Sequence, residues 1–166
     1  MDTNRSRALG STLPADLAAS AAVLKQTPDS PSDPGAVRLH AMLEVAYLAA
    51  SADGELGDDE IELLVANLHS WLGKQLEPAF LVELFEHLGQ QLAKHGYQAR
   101  LEAVAKLLDP ESRLVAYRLA CVTALIDHDV HDDELRFLEG IVNAFGIPNA
   151  EAQAIFDALD EAITSM

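Results

Sequence analysis

Two short acidic segments concentrate the side chains of this sequence that could do chemistry. Residues 53–60 read Asp-Gly-Glu-Leu-Gly-Asp-Asp-Glu, and residues 127–134 read Asp-His-Asp-Val-His-Asp-Asp-Glu. Carboxylates crowded onto a short loop repel one another, and a divalent cation with oxygen ligands relieves that repulsion. The candidate metal ligands are Asp53, Glu60, Asp127, Asp129 and Glu134, with Glu55, Asp58, His131 and Asp132 as further candidates.

The spacing within these segments does not match an EF-hand. Counted from the first Asp of either segment, another Asp stands where the EF-hand has its invariant glycine. Leu64 and Leu138 stand where the bidentate Glu would be. In the second segment, His128 and His131 are nitrogen ligands that would suit zinc or another transition metal. A solvated surface histidine is the alternative interpretation of His131.

A purely structural role accounts for the same acidic residues without a metal. An Asp before a helix accepts a hydrogen bond from the first turn, and carboxylates within that turn complement the helix dipole. On this alternative, Asp58 and Asp132 cap the helices that follow them, and Gly54 adopts a left-handed conformation. The chain would then be a helical scaffold whose acidic loops bind no metal.

The elements around these segments are predicted to be helices. Leu and Ala, both strong helix formers, dominate the sequence, and few stretches are rich in β-branched residues. Apolar periodicity, prolines at helix starts and glycines at helix ends predict about seven helices. They cover about 36–52, 58–72, a stretch from 78, 97–108, 110–126, 132–145 and a stretch after Asn149, which is predicted to cap the last helix. In the sixth helix, the residues predicted to face inward are Leu135, Leu138, Val142 and Phe145.

An internal repeat organises these helices. Shifting the sequence by 74 residues places 46–64 over 120–138, with seven identities in 19 positions. The halves, about 36–96 and 110–164, each contain an apolar lead helix, an acidic loop, an amphipathic helix and a further helix. We therefore predict an all-α, internally duplicated bundle with pseudo-twofold symmetry, with its two lead helices packed in the centre.

Residues 1–35 are predicted to lie outside the compact domain, which then spans 36–166. Residues 27–35 contain three prolines and read as a linker. Residues 13–26 are compatible with a further, N-terminal helix.

The charge balance excludes several classes of partner. The formal net charge is −16, from 27 acidic and 11 basic side chains, so nucleic-acid phosphates and anionic lipids are repelled. No apolar run approaches the roughly 20 residues of a membrane span, and no signal-peptide pattern follows the first arginines. We therefore expect a cytoplasmic protein with protein partners, without nucleic acid and without a direct membrane span. The sequence is also compatible with a homo-oligomer.

No motif predicts catalysis. The chain lacks a Gly-rich phosphate loop, G-x-S-x-G and H-E-x-x-H. Its one cysteine, Cys121, lies in an apolar stretch and is predicted to be a buried core side chain. Because the acidic residues also have structural roles open to them at helix starts, we expect a binding protein rather than an enzyme.

Residues 53–60 resemble the acidic signature of the tellurite-resistance TerB family. The pattern Asp-Gly-Glu-Leu-x-x-x-Glu follows an apolar helix ending in Ala-Ala-Ser-Ala, and residues 134–138 and 144–147 resemble the later half of the same family. The resemblance covers about 36–162. A related domain occurs at the N-terminus of DnaJ-like membrane co-chaperones, but the His-Pro-Asp tripeptide of a co-chaperone is missing from this sequence.

The resemblance implies an all-helical duplicated fold and a role in tellurite and related stress responses. It also implies calcium, or another divalent cation, at Asp53 and Glu60 and, through the repeat, at Asp127 and Glu134. Partnership with other resistance proteins near the membrane is a further expectation. The second copy departs from the pattern, because His128 replaces the glycine of the first.

Overall fold

The computed structural model describes residues 34–52, 57–71, 77–125 and 132–164. Over these ranges the chain is helical and contains no strand, which confirms the predicted all-α class. The helices are α1 (Pro34–Ala50), α2 (Asp58–Trp71), α3 (Pro78–His95), α4 (Tyr97–Leu107), α5 (Pro110–Leu125), α6 (Asp132–Phe145) and α7 (Asn149–Thr164).

The two apolar lead helices form the centre of the bundle, as predicted. Every residue from 41 to 49 in α1 is buried, and so is every residue from 115 to 125 in α5 except Arg118. Among the described helices, α1 and α5 make the most extensive contact with each other. Ala46 and Ala120 are fully buried. Side chains this small allow two helices to approach closely. The internal duplication and its twofold symmetry remain predictions.

α1 and α5 run in the same direction. Near the beginnings of the two helices, hydrogen bonds from Ser112 lower the pKa of the Asp109 carboxyl. The positive charge of Arg38 lies close enough to lower this pKa further. At their far ends, the Tyr97 hydroxyl donates a hydrogen bond to the carbonyl of Ser51, just after α1. The Tyr97 ring also packs edge-on against Phe137 in α6, the helix that follows α5.

One buried ion pair fixes α4 against α1. Glu44 lies in the otherwise apolar α1, and its side chain is only 2% exposed. Arg100 binds it through two hydrogen bonds, Nε to Oε2 at 2.6 Å and Nη2 to Oε1 at 2.7 Å. A carboxylate removed from water needs such a partner, because its burial alone is strongly unfavourable.

A second arginine joins the ends of two helices. The Arg113 guanidinium on α5 donates to the carbonyl oxygens of Ala105 and Leu108 at the end of α4, and to that of Phe145 at the end of α6. The last carbonyls of a helix lack partners within the helix, and they carry the negative end of its dipole. Arg113 therefore satisfies two helix ends at once and holds them at the start of α5.

Several helix boundaries follow the predicted local signals. The backbone amide of Ser112 donates to Oδ1 of Asp109 at 2.8 Å, which confirms Asp109 as the cap of α5. α6 ends at Gly146, whose φ of 68° suits glycine, and the amide of Ile147 there donates to the carbonyl of Val142. α7 begins at Asn149 itself rather than after it, so Asn149 is not the cap.

Two further sequence predictions need correction here. Leu135 was predicted to face the core, yet it is 41% exposed, whereas Leu138, Val142 and Phe145 are buried as predicted. The reason is its position in the first turn of α6, beyond the part of that helix covered by its neighbours. α1 begins at Pro34, inside the stretch predicted to be linker.

Candidate functional site

The first acidic segment runs into the start of α2. Asp58, Asp59 and Glu60 form the first turn of this helix, and all three are exposed. The carbonyl of Gly57 accepts the first helical hydrogen bond, from the amide of Ile61 at 3.0 Å. Gly57 is therefore the cap, and the predicted capping by Asp58 is wrong. The three carboxylates instead lie where the positive end of the helix dipole favours negative charge.

Glu60 turns back toward the loop. A Cβ placed on Gly57 would lie 3.5 Å from Oε1 of Glu60. The carboxylate predicted as a metal ligand in the first segment thus lies beside the residue that ends the loop, rather than pointing away along the helix.

The second acidic segment leads into α6. Asp132 and Glu134 lie in the first turn of this helix, and the structure describes their backbone but not their side chains. The other predicted ligands of the two segments lie outside the described residues: Asp53, Glu55, Asp127, Asp129 and His131, together with His128. Within the ranges that are described, no three His, Cys, Asp or Glu side chains are grouped so that they could hold a metal ion.

Described residues that flank the two acidic segments meet through Tyr97. Ser51 lies two residues before the first segment, and Phe137 lies three residues after the second. Tyr97 joins them, because its hydroxyl binds the Ser51 carbonyl and its ring contacts Phe137 with centroids 5.8 Å apart. Tyr97 therefore connects the chain just before the first segment with the chain just after the second.

Sequence reasoning did not identify Ser51, Tyr97 and Phe137 as part of this region. A weak signal was available in Tyr97, which is one of only three tyrosines and directly follows Gly96. The glycine has a φ of 83°, which separates α3 from α4 and lets Tyr97 begin a new helix toward the end of α1.

A groove of about 570 Å³ with a mixed lining, which includes Glu139 and Gln153, runs between α6 and α7. Its floor contains the buried side chains of Tyr117, Leu138, Val142 and Ala152. Leu135 and the partly buried Phe156 form its walls, and Asn143 and Asn149 lie among its polar lining residues. The exposed Leu135 thus lines this groove together with other apolar side chains.

Cys121 is a core residue, as predicted. Its side chain is fully buried in the middle of α5, and burial raises the pKa of the thiol to about 12. The nucleophilic form of a cysteine is the thiolate, so this thiol is unreactive at neutral pH. Burial likewise raises the pKa of Tyr117, one turn earlier on the same helix.

The described residues form a helical domain in which Tyr97 of α4 connects the end of α1 with α6. The sequence model of the family described as tellurite resistance protein TerB matches residues 39–157. The chain therefore belongs to the TerB family, as the resemblance of residues 53–60 predicted. No curated protein and no solved structure gives a significant match to it. None of the described helices is long and apolar enough to cross a membrane.

Proposed function

We propose that this chain is a non-enzymatic binding domain of the cytoplasm that responds to a divalent cation. In this proposal, the cation is held by the two acidic segments, with Asp53, Glu60, Asp127, Asp129 and Glu134 as its ligands. Calcium is the first candidate, and zinc is the alternative at the second segment because of its histidines. The bound form would act in tellurite or related stress resistance by contacting a protein partner.

The observation that carries this proposal is the junction of Ser51, Tyr97 and Phe137. It holds the end of α1 against α6, and one acidic segment follows α1 in the sequence while the other leads into α6. In this proposal the carboxylates of both segments lie near the junction, where together they would raise the local negative charge. Concentrated negative charge attracts cations, and the attraction increases with the number of carboxylates.

The chemistry of the donors also supports a hard cation. Asp58, Asp59 and Glu60 are exposed, and Glu60 turns toward the loop. Carboxylate oxygens with access to solvent are the ligands that calcium and magnesium use, and the waters that complete their shells can enter here.

The decisive experiment is calorimetric titration of the full chain with calcium, magnesium, manganese and zinc, together with melting curves. A cation that binds only the folded chain should raise the melting temperature as its concentration increases. Replacing Asp53 with Asn and Glu60 with Gln should remove the part of this rise in melting temperature that depends on the first segment. The equivalent pair, Asp127→Asn with Glu134→Gln, should remove the part that depends on the second segment.

A matched control removes the same amount of charge elsewhere. Glu83 and Glu86 are exposed on α3, and Glu83→Gln with Glu86→Gln should leave the cation response unchanged. An unchanged melting temperature with all four metals would contradict the proposal. The acidic first turns would then serve only the helix dipoles, and the chain would be a structural scaffold.

The stress role has its own test. Deleting the gene for this chain should lower the tellurite concentration that stops growth of its source organism. The unaltered gene should restore growth, and the variant lacking both Asp53 and Glu60 carboxylates should not. Restoration by that variant would separate tellurite resistance from the acidic segments.

A further inference from the structure

The groove between α6 and α7 separates two helices that are consecutive in the chain. α6 ends at Phe145 and α7 begins at Asn149, and helices joined by so few residues commonly pack side by side as an αα-hairpin. Here both helices pack mainly on α5, and they contact each other much less. The space between them therefore stays open, with the buried ring of Tyr117 from α5 at its floor.

The groove has a buried apolar floor and exposed walls. Leu138 and Val142 are buried at the floor, whereas Leu135 is 41% exposed above them. The polar side chains that line the walls, such as Asn143 and Gln153, are also exposed. A small-molecule pocket encloses most of its ligand, whereas a groove with exposed walls suits an elongated ligand that keeps one face in water.

The length of the groove matches two turns of a helix. From Leu135 to Asn143 the α6 wall rises about 12 Å, at 1.5 Å per helical residue. From Asn149 to Phe156 the α7 wall rises roughly 10 Å. An amphipathic helix places apolar side chains at i, i+3 or i+4, and i+7 into such a groove, and these positions also span roughly 10 Å.

Both walls of the groove carry negative charge. Glu139 lines the groove on α6 and is exposed. On α7, Nε2 of the lining residue Gln153 donates to Oδ1 of Asp157 at 2.8 Å, so this carboxylate lies beside the groove. Among the described residues that line the groove, none is Lys, Arg or His. An occupant with basic side chains on either side of an apolar stripe is therefore complementary in charge.

The same charges disfavour a second copy of this chain as the occupant. The formal net charge is −16, and the single basic residue of α6 and α7 is Arg136, which lines a different pocket beside Tyr97. Pairing of two α6–α7 faces would bring Glu139 and Asp157 close to the acidic residues of the other copy. Like charges brought together in this way oppose association.

We propose that the groove between α6 and α7 binds a basic amphipathic helix of a protein partner. The apolar stripe of that helix packs on Leu138 and Val142 and covers Leu135. Lysine or arginine side chains beside the stripe pair with Glu139 and Asp157. The inference rests on the proposed role of the chain as a protein-binding domain and specifies the class of partner, but it does not require the acidic segments to bind a cation.

A synthetic peptide is the probe that tests this proposal on the full chain. It is a fluorescein-labelled helix of about four turns, with leucines at i, i+3, i+4 and i+7 and lysines on both sides of them. One control peptide has the same composition with its leucines spread around the helix, and the other has glutamate in place of lysine. Fluorescence anisotropy in EDTA should show binding of the amphipathic basic peptide, and several-fold weaker binding of both controls.

Variants of the walls locate the binding. Asn143→Trp places a bulky ring at the groove and should weaken binding of the basic peptide several-fold, whereas Gln90→Trp, at an exposed position of α3, should not. Leu135→Ser should also weaken it, and its control is Leu63→Ser on α2, which replaces a leucine that is 53% exposed. Circular dichroism verifies that each variant retains its helices. In the unaltered chain, the largest amide shifts on addition of peptide should fall within residues 135–143 and 149–156.

A matched pair of variants tests the charges. Glu139→Gln with Asp157→Asn should weaken binding of the basic peptide several-fold and reduce its dependence on salt. Glu83→Gln with Glu86→Gln removes the same charge from α3 and should leave both unchanged. Equal losses in the two double variants would show attraction to the overall negative charge rather than to the groove.

Other results would overturn the proposal outright. Absence of peptide binding, equal binding of the control peptides, or unaltered binding in Asn143→Trp would each exclude a basic helix from the groove. Self-association of the chain that is lost in Leu135→Ser but kept in Leu63→Ser would assign the groove to a second copy.

Repeating the titration with calcium separates this inference from the proposed cation response. A chain whose melting temperature rises with a cation but which binds no peptide would contradict the groove assignment alone. A chain that binds the peptide at its groove but responds to none of the four metals would contradict only the cation response.

Discussion

Arg100 on α4 donates two hydrogen bonds, of 2.6 and 2.7 Å, to the buried carboxylate of Glu44 on α1. Each charge is compensated by the other. The pKa of Arg100 is raised by its hydrogen bond to Glu44, partly offset by burial. Arg100→Met should therefore leave an uncompensated buried carboxylate and lower the free energy of unfolding by about 3–5 kcal/mol. Urea denaturation measures the change.

The double variant is the control for this prediction. Glu44→Met with Arg100→Met replaces the pair by apolar side chains, and it should be much closer to the unaltered chain than Arg100→Met alone. A double variant as unstable as the single one would mean that Arg100 acts through packing rather than charge.

The contact between α1 and α5 should not tolerate larger side chains. Ala46 lies in α1 and Ala120 in α5, both are fully buried, and these helices make the most extensive contact of the described bundle. Ala46→Leu or Ala120→Leu should overpack the contact and lower the free energy of unfolding by about 1–3 kcal/mol. Ala154 is exposed on α7, so Ala154→Leu is the matched control and should change stability little. Equal effects at buried and exposed alanines in thermal melts would contradict the central packing.

Asp109 should stabilise α5 only while it is ionised. Hydrogen bonds from Ser112 hold the pKa of this carboxyl below its ordinary value. A carboxyl whose pKa is lower in the folded chain stabilises the fold above its unfolded pKa of about 4, and that contribution is lost as the pH falls through the folded value.

Asp109→Ala should cost about 1 kcal/mol at neutral pH, in line with other helix caps, and much less at pH 2. Glu86→Ala, at an exposed position of α3, is the control and should have a small effect at both values. Urea denaturation at the two pH values makes the comparison. A cost at Asp109 that persists undiminished at pH 2 would show that its charge is not what caps the helix.

Cys121 should be inert to thiol reagents in the folded chain. The thiol is fully buried, and its pKa is about 12. We expect a disulfide reagent to label it only after denaturant unfolds the bundle, whereas a Leu63→Cys variant should gain one rapidly labelled site. Rapid labelling of the native chain at neutral pH would require an opening of α5 that this packing does not provide.

Removing the hydroxyl of Tyr97 should loosen the acidic end of the bundle. Tyr97→Phe leaves the carbonyl of Ser51 without this donor and should cost about 1 kcal/mol of stability. If the acidic segments bind a cation together, the same variant should also bind it more weakly, since Tyr97 connects the residues that flank the two segments. Phe80→Leu, a mild change at a partly buried position of α3, is the control and should leave cation affinity unaltered. An unaltered affinity in Tyr97→Phe would show that the junction does not organise the site.

Local signals in the sequence were enough to locate the helices and one cap, Asp109, although the predicted caps Asp58 and Asn149 were wrong. Apolar periodicity, Pro78, the Asp109–Pro110 pair and Gly146 act within one or two turns of chain, so their meaning does not depend on distant residues. The all-α class, the buried Cys121 and the family followed from such patterns. The acidic character of the two segments is likewise a property of the sequence alone.

What joins the helices was decided only by tertiary structure. Glu44 was visible as a charged residue in an apolar helix, but its partner Arg100 lies 56 residues away, and no local pattern connects them. Glycine normally destabilises the interior of a helix, and the sequence alone gives no reason for Gly89. The structure gives one, because a Cβ on this residue would lie only 2.8 Å from the hydroxyl of Tyr47. Leu135 fits the helical period of apolar residues but is exposed. The period identifies one face of a helix, and the neighbouring helices determine how much of that face is covered.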